Sequence, residues 1–246
     1  MKAQPLNTLL LLLFFSLAGI SSLQAQDDEE EEYTREFVGG VNLNTNGGIV
    51  GLGGLTFKYS TLLRPGLYRS LTFEAVNVKH AKETRYPSFS GGTFILGKVN
   101  YLYSLRFSLG LEKIVFKRGV QQGVQVNVLA SAGPSIGIIS PYYVEYADGS
   151  GNYANSIPYR PGLNPSGIYG PGRPLQGIGE SKISPGLHVR TGVGFEFGTF
   201  ESNISGLELG LLLEAFPKRI QILSEADTQW FFPSAYLTFF FFGSRS

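Results

Sequence analysis

The stretch Gly206-Leu207-Glu208-Leu209-Gly210-Leu211-Leu212-Leu213-Glu214-Ala215-Phe216 decides the fold of this chain. Leu207, Leu209, Leu211, Leu213 and Ala215 take every second position, with Glu208, Gly210, Leu212 and Glu214 between them. A period of two puts the first set on one face of a β-strand and the second set on the other, whereas a helix needs about 3.6.

The same rhythm extends outward. Residues 186–198 set Leu187, Val189, Val193, Phe195 and Phe197 against His188, Arg190, Gly192, Gly194, Glu196 and Gly198. Residues 123–138 set Val124, Val126, Val128, Ala130, Ala132, Ile136 and Ile138 against Gln125, Asn127, Ser131, Gly133, Ser135 and Gly137. In 101–112, Tyr101, Tyr103, Leu105, Phe107, Leu109 and Leu111 oppose Ser104, Arg106, Ser108, Gly110 and Glu112. Residues 37–44, 49–60 and 68–79 alternate less cleanly, and at the end Ala235, Leu237, Phe239 and Phe241 oppose Ser234, Tyr236 and Thr238. That makes eight strands, each at or beyond the roughly 9–11 residues with which a tilted strand crosses a bilayer, the first marginally so.

Composition agrees. Of 246 residues, 43% are hydrophobic and 16% charged, against roughly 25% charged in an ordinary soluble domain. The chain has 32 Gly, 19 Phe and 13 Tyr but no Cys. High glycine with many aromatics argues against a helical bundle or an α/β enzyme. Without cysteine there is no disulfide, thiolate metal site, Cys nucleophile or lipid-modified N-terminal Cys. A net charge of +1 gives no reason to expect nucleic-acid binding.

Lys2, the apolar run Leu9 to Ile20 and the closing Ser21-Ser22-Leu23-Gln24-Ala25 read as a signal peptide over residues 1–25. The apolar run is shorter than the roughly 20 residues of a membrane helix. Asp27 to Glu32 is an unbroken acidic run, so 26–35 reads as a solvated tail, with docking to a basic partner as the alternative. Residues 33–246 then hold 13 acids against 19 bases.

Two kinds of barrel alternate in this way, and the minority face separates them. Here it is Gly, Ser, Thr and Asn with isolated charges, which fits the tight interior of an eight-stranded barrel better than a soluble surface. The other face is Val, Leu, Ile and Phe, with Tyr near strand ends, as a lipid-facing belt requires. With both termini on one side, the connections on that side are Leu63–Gly66, 117–122 and 201–205, all short; those opposite are 45–48, 81–100, 141–183 and 218–230. Short inner turns and long outer loops are the asymmetry of bacterial outer-membrane barrels. The expected fold is all-β: one eight-stranded antiparallel up-and-down transmembrane β-barrel over residues 36–246.

The segment from Gly97-Lys98-Val99-Asn100-Tyr101 through Leu105-Arg106, Glu112-Lys113 and Gly123-Val124 to Ser140-Pro141-Tyr142-Tyr143 resembles the PorT-like barrel proteins of Bacteroidota, within the small OmpA- and OmpX-type outer-membrane barrels. The resemblance implies an outer-membrane protein of a Gram-negative envelope with periplasmic termini, in contact with lipid and lipopolysaccharide. One departure is that the aromatic run Tyr236 to Phe242 is followed by Gly243-Ser244-Arg245-Ser246, where such barrels commonly end on an aromatic residue.

Parity places Lys58, Glu74, Arg106, Glu112, His188, Arg190, Glu196, Glu208 and Glu214 inside. Charges in a narrow lumen must be paired, so a salt-bridge network closing the barrel is the first reading, with Arg106 as the expected cation for Glu196 and Glu208. A polar conduit is the alternative. His80 and His188 are expected near the outer rim on opposite sides, too far apart to share a metal ion, and His188 is expected to lack a serine partner. Gly133-Pro134-Ser135-Ile136-Gly137 falls inside the alternating strand 123–138 rather than at a strand-to-helix elbow, and no H-E-x-x-H motif occurs; no catalytic site, metal or cofactor is expected. The loop at 141–183, with Tyr142, Tyr143, Tyr146, Tyr153, Tyr159 and Tyr169 among prolines and glycines, is the candidate recognition surface. The function expected is a structural or accessory envelope barrel with a protein or surface partner. The alternatives are a narrow channel or surface hydrolase, and a secreted lipocalin-like binding barrel.

Overall fold

The computed structural model describes residues 33–45, 53–88, 90–117, 123–147, 154–197 and 205–246. The signal peptide, the acidic run, Tyr153 and most of the turns at 117–122 and 201–205 lie outside the described residues.

Thirteen strands are described: β1 (Arg35–Asn44), β2 (Gly54–Arg64), β3 (Leu67–Val78), β4 (Arg85–Pro87), β5 (Thr93–Ile95), β6 (Asn100–Phe116), β7 (Gln125–Pro141), β8 (Tyr143–Tyr146), β9 (Asn155–Pro158), β10 (Ile168–Pro171), β11 (Lys182–Phe197), β12 (Ser205–Ile220) and β13 (Gln229–Arg245). Eight of them close an antiparallel barrel in the order β1-β13-β12-β11-β7-β6-β3-β2. Register carries the alternation around the sheet: Tyr59, Leu71, Leu109, Ala132, Val189 and Leu213 are successive cross-strand partners on the outward face. A slip of one residue would turn that whole row inward, so the pattern fixes the pairing.

The seam between the first and last strands explains the four residues after the aromatic run. Val38 pairs with Gly243 and Glu36 with Arg245, and the Ser246 carbonyl accepts from the Thr34 and Arg35 amides, both at 2.8 Å. Tyr33 to Arg35, expected in the tail, therefore belong to the barrel. A bulge takes the pairing from Gly39–Phe242 to Gly40–Phe240 and skips Phe241. Beyond it parity reverses: Phe241 and Phe242 both face outward, and Arg245 turns in.

The long connections are not irregular. Residues between β3 and β6 form the β4–β5 hairpin, and those between β7 and β11 contain a three-stranded sheet ordered β10-β8-β9. Phe94, Tyr142, Val144, Tyr159 and Ile168 pack together beneath them. The Ser90 amide donates to the Tyr169 carbonyl at 3.0 Å, and the Ile95 amide to Tyr142 Oη at 3.1 Å. These two loops thus make one folded cap at the end opposite the termini, and the loop expected at 141–183 carries strands of its own.

Candidate functional site

Inward side chains stack in layers along the barrel. At the loop end they are apolar: Val76, Val78, Leu102, Phe216 and Phe232, joined by Ile220 and Ile222 folding in after them, form one buried cluster. The Phe216 ring meets Phe232 edge-on at 5.9 Å and reaches across to Gly137 and Gly186, where a Cβ would come within 2.7 Å of its atoms. Glycine at those two positions makes the room that the ring fills.

Below this plug the lumen is polar. Arg106 grips Glu214 twice, Nη2 to Oε2 at 2.7 Å and Nε to Oε1 at 3.1 Å, and Ser104 Oγ donates to Oε1 at 2.6 Å. His188 sits between Ser108 Oγ, 2.7 Å from Nε2, and Ser135 Oγ, 2.9 Å from Nδ1. Arg190 occupies the centre, with one guanidinium nitrogen on Glu74 and another on Glu208. Its plane lies 4.0 Å over the Tyr236 ring, and the Tyr236 hydroxyl donates to Glu208 at 2.9 Å. Asn42 Nδ2 and Thr56 Oγ1 also donate to Glu74, at 3.2 and 3.3 Å.

Toward the termini, Lys58 Nζ lies 3.1 Å from Glu112 and 3.6 Å from Glu208. Asn127 Nδ2 donates to Glu112 at 2.9 Å. The last layer is Arg245, which binds Glu36 at 2.7 Å and also Glu196, while its guanidinium covers the Tyr33 ring at 4.0 Å. A cavity of about 30 Å³ remains among Glu36, Lys58, Glu112, Asn127, Glu196 and Glu208; that is room for about one water molecule.

All nine charged residues that parity places inside are buried in this lumen. Their pairing differs from expectation. Arg106 serves Glu214 and, at 3.7 Å, Glu74; Glu208 belongs to Arg190 and Lys58, and Glu196 to Arg245. Depth in a tilted barrel follows the stagger between strands, so Arg106 stands level with Glu214 and above Glu208. His188 is also not at the rim. It lies inside the lumen and has two serine partners, but both face inward, away from the exposed side of the sheet.

His80 stands just past β3, with Nδ1 accepting the Lys82 amide at 3.1 Å and its own amide donating to Glu83 at 3.2 Å. Burial holds its pKa below the ordinary value. Nearby Lys98 is fully buried, 2.8 Å from Glu83 and 4.4 Å over Tyr101, and burial lowers its pKa despite that carboxylate. Among the described residues, no group of three or more His, Cys, Asp or Glu side chains is placed to hold a metal ion.

No protein-family model matches the chain, and no curated protein matches it. Among solved structures it is similar to the crystal structure of Neisserial surface protein A (NspA), with 12% identity and a TM-score of 0.39 over 86% of this chain and 96% of that one. A likeness at that level says nothing about function, which must come from the faces of the barrel and the contents of its lumen.

Sequence reasoning missed Glu36, Arg245 and the plug. Glu36 needed only the first strand to be extended by one residue. Arg245 is hidden by the bulge, and the plug residues alternate with outward apolar ones, so no polarity contrast marks them. Of the loop tyrosines, Tyr142 and Tyr159 are buried in the cap and Tyr143 Oη donates to Glu180 at 2.6 Å. Tyr146 is half-buried and Tyr169 is exposed.

Proposed function

We propose that this chain is an integral β-barrel of a Gram-negative outer membrane, with its termini in the periplasm and a sealed lumen, serving a structural or accessory role in the envelope. The observation that carries the reading is the inversion of faces. Leu71, Leu109, Leu111, Leu187, Leu211, Leu213, Phe239 and Phe241 are exposed on the outside, while the glutamates, arginines and hydroxyls are inside. A soluble monomer rarely exposes more than a few hundred Å² of continuous apolar surface, which disfavours a lipocalin-like secreted barrel. Exposed Arg35, Arg64, Arg69 and Lys113 near the terminal end, and Lys182, Lys218 and Arg219 near the loop end, put cations where lipid headgroups would lie at either edge of the belt.

The plug disfavours a conduit, because a path through the barrel would have to pass the Phe216–Phe232 contact. Both ring nitrogens of His188 are engaged below that plug, which disfavours a surface hydrolase. The network holds the barrel closed: its ion pairs offset their own desolvation, and their geometry fixes register more than it adds net stability. The cap supplies the surface for an envelope partner, and the resemblance carried by residues 97–143 supports placing the chain among PorT-like barrels.

Fractionation and electrophoresis test this. The expected result is recovery with outer membranes, faster migration of unheated than of boiled samples, and no single-channel steps in planar bilayers. Recovery as a soluble periplasmic protein, or steady ion conductance by the parent chain, overturns it.

A further inference from the structure

The lumen holds more carboxylates than cations. Toward the loop end, Arg106 and Arg190 stand with Glu74 and Glu214, charge for charge. Toward the termini, Lys58 and Arg245 stand with Glu36, Glu112, Glu196 and Glu208. Two negative charges are thus in excess among the described residues, and the excess lies in the terminal-end layer. A buried charge without compensation is costly, so that layer calls for a further positive charge.

The same layer encloses the cavity of about 30 Å³, and two acceptors on its walls have no donor. Asn127 Nδ2 is spent on Glu112, but the buried Oδ1 has no hydrogen-bond partner among the described residues. Glu36 binds Arg245 through Oε1, and no hydrogen bond reaches its Oε2 among the described residues. β1, which carries Glu36, and β7, which carries Asn127, are three strands apart either way around the ring, so the two residues line the cavity from opposite walls. The plug closes the loop end, whereas Arg245 and Glu196 keep some side-chain exposure at the other. The cavity is therefore reached from the terminal side.

We propose that this cavity binds one monovalent cation of the size of sodium, held by Asn127 Oδ1, by the free oxygen of Glu36 and by the field of the surplus carboxylates. A hard cation takes carbonyl and carboxylate oxygens, and sodium fits a space with room for one water molecule. Lys58, which also lines the cavity, is already committed to Glu112 and Glu208. A divalent ion fits less well, because no three acidic or histidine side chains are placed to grip it among the described residues. Such a site goes beyond the membrane reading, which holds with or without a bound ion.

Reversible urea unfolding of the barrel in lipid vesicles tests it, at fixed pH and fixed chloride, with sodium exchanged stepwise for N-methylglucamine, a cation too large for the cavity. The ratio of folded to unfolded chain should rise with sodium, by about tenfold once sodium reaches about ten times its dissociation constant. Glu36→Gln, which removes one of the surplus charges, should abolish this response. Gly194→Ala should abolish it by filling space: Gly194 lines the cavity, and a Cβ there meets only Asn127, at an ordinary 3.7 Å or more. Glu214→Gln, in the balanced layer, should keep the response even though it lowers stability.

A parent chain whose stability is indifferent to sodium overturns the proposal, since water and protons then account for the cavity. An undiminished response in either Glu36→Gln or Gly194→Ala overturns it too, as does loss of the response in Glu214→Gln. If Glu36→Gln does not fold, Gly194→Ala, which breaks no ion pair, decides alone. Failure of the membrane reading looks different: the parent chain would fractionate as a soluble protein before any vesicle is made.

Discussion

Arg190→Ala removes the cation at the centre of the lumen, and its consequences can be worked out from its neighbours. Arg190 binds Glu74 and Glu208 and covers Tyr236. Breaking a buried pair by deleting one partner costs about 3–5 kcal/mol, mostly the penalty of the stranded charge. Neither carboxylate is wholly stranded here. Glu74 keeps Asn42 at 3.2 Å, Thr56 at 3.3 Å and Arg106 at 3.7 Å, and Glu208 keeps Lys58 at 3.6 Å and the Tyr236 hydroxyl at 2.9 Å. The cost should therefore fall at the low end, about 3 kcal/mol, or roughly a hundredfold in the folding equilibrium. Adding Glu208→Gln removes one of the two excess charges and should restore about 1–2 kcal/mol. Reversible urea unfolding in lipid vesicles, followed by Trp230 fluorescence, measures both. A change under about 0.5 kcal/mol in Arg190→Ala, the range of a neutral surface substitution, would refute the reasoning.

Arg106→Ala should be partly rescued by Glu214→Gln and not by Glu208→Gln, because Arg106 holds Glu214 at 2.7 Å; rescue in the same unfolding assay by Glu208→Gln alone would contradict the observed pairing. Leu211→Arg puts a charge on the exposed belt and should cost roughly 2–4 kcal/mol of insertion stability, read as lost heat-modifiable protein. Gly210→Ser, its neighbour on the lumen face, should also destabilise, since a Cβ there overlaps the Thr191 carbonyl oxygen; Ser60→Ala, at a buried hydroxyl without a hydrogen-bond partner among the described residues, should be neutral in that assay. For His80, burial sets the folded pKa below the ordinary 6.5, so the folded loop disfavours the proton and its ordering is lost as pH falls below about 6.5. Exchange of the Lys82 amide, corrected for its intrinsic rate, should quicken in that window and stay unchanged in His80→Asn.

The eight strands were legible because one period governs the whole chain from Phe37, and burying one face makes register unforgiving. The inward charges were legible for the same reason. What parity could not supply was depth. Arg106 and Glu208 each sit correctly in the lumen, yet their relative height depends on strand stagger, which one strand's sequence does not encode. Parity also fails where the chain inserts a residue: the bulge at Phe241 turned Arg245 inward and hid the cation of Glu196. The plug was invisible for a different reason, since Phe216 and Phe232 interrupt no apolar pattern when they point inward. In the loops, Tyr143-Val144-Glu145-Tyr146 is too short for its alternation to stand out, and its pairing partners lie 9 or more residues away across chain rich in glycine and proline.

The absence of cysteine allows the central claim to be tested one residue at a time. Single cysteines at positions 207 to 215, each carrying a nitroxide in reconstituted vesicles, can be read for collision with oxygen, which concentrates in lipid, and with a water-soluble nickel chelate. The account predicts high oxygen collision at Leu207, Leu209, Leu211 and Leu213 and low collision with either reagent at Glu208, Leu212 and Glu214, a period of two along β12. Strong nickel collision at Leu209, Leu211 and Leu213 would mean that the exposed face meets water, and would contradict a membrane-spanning barrel.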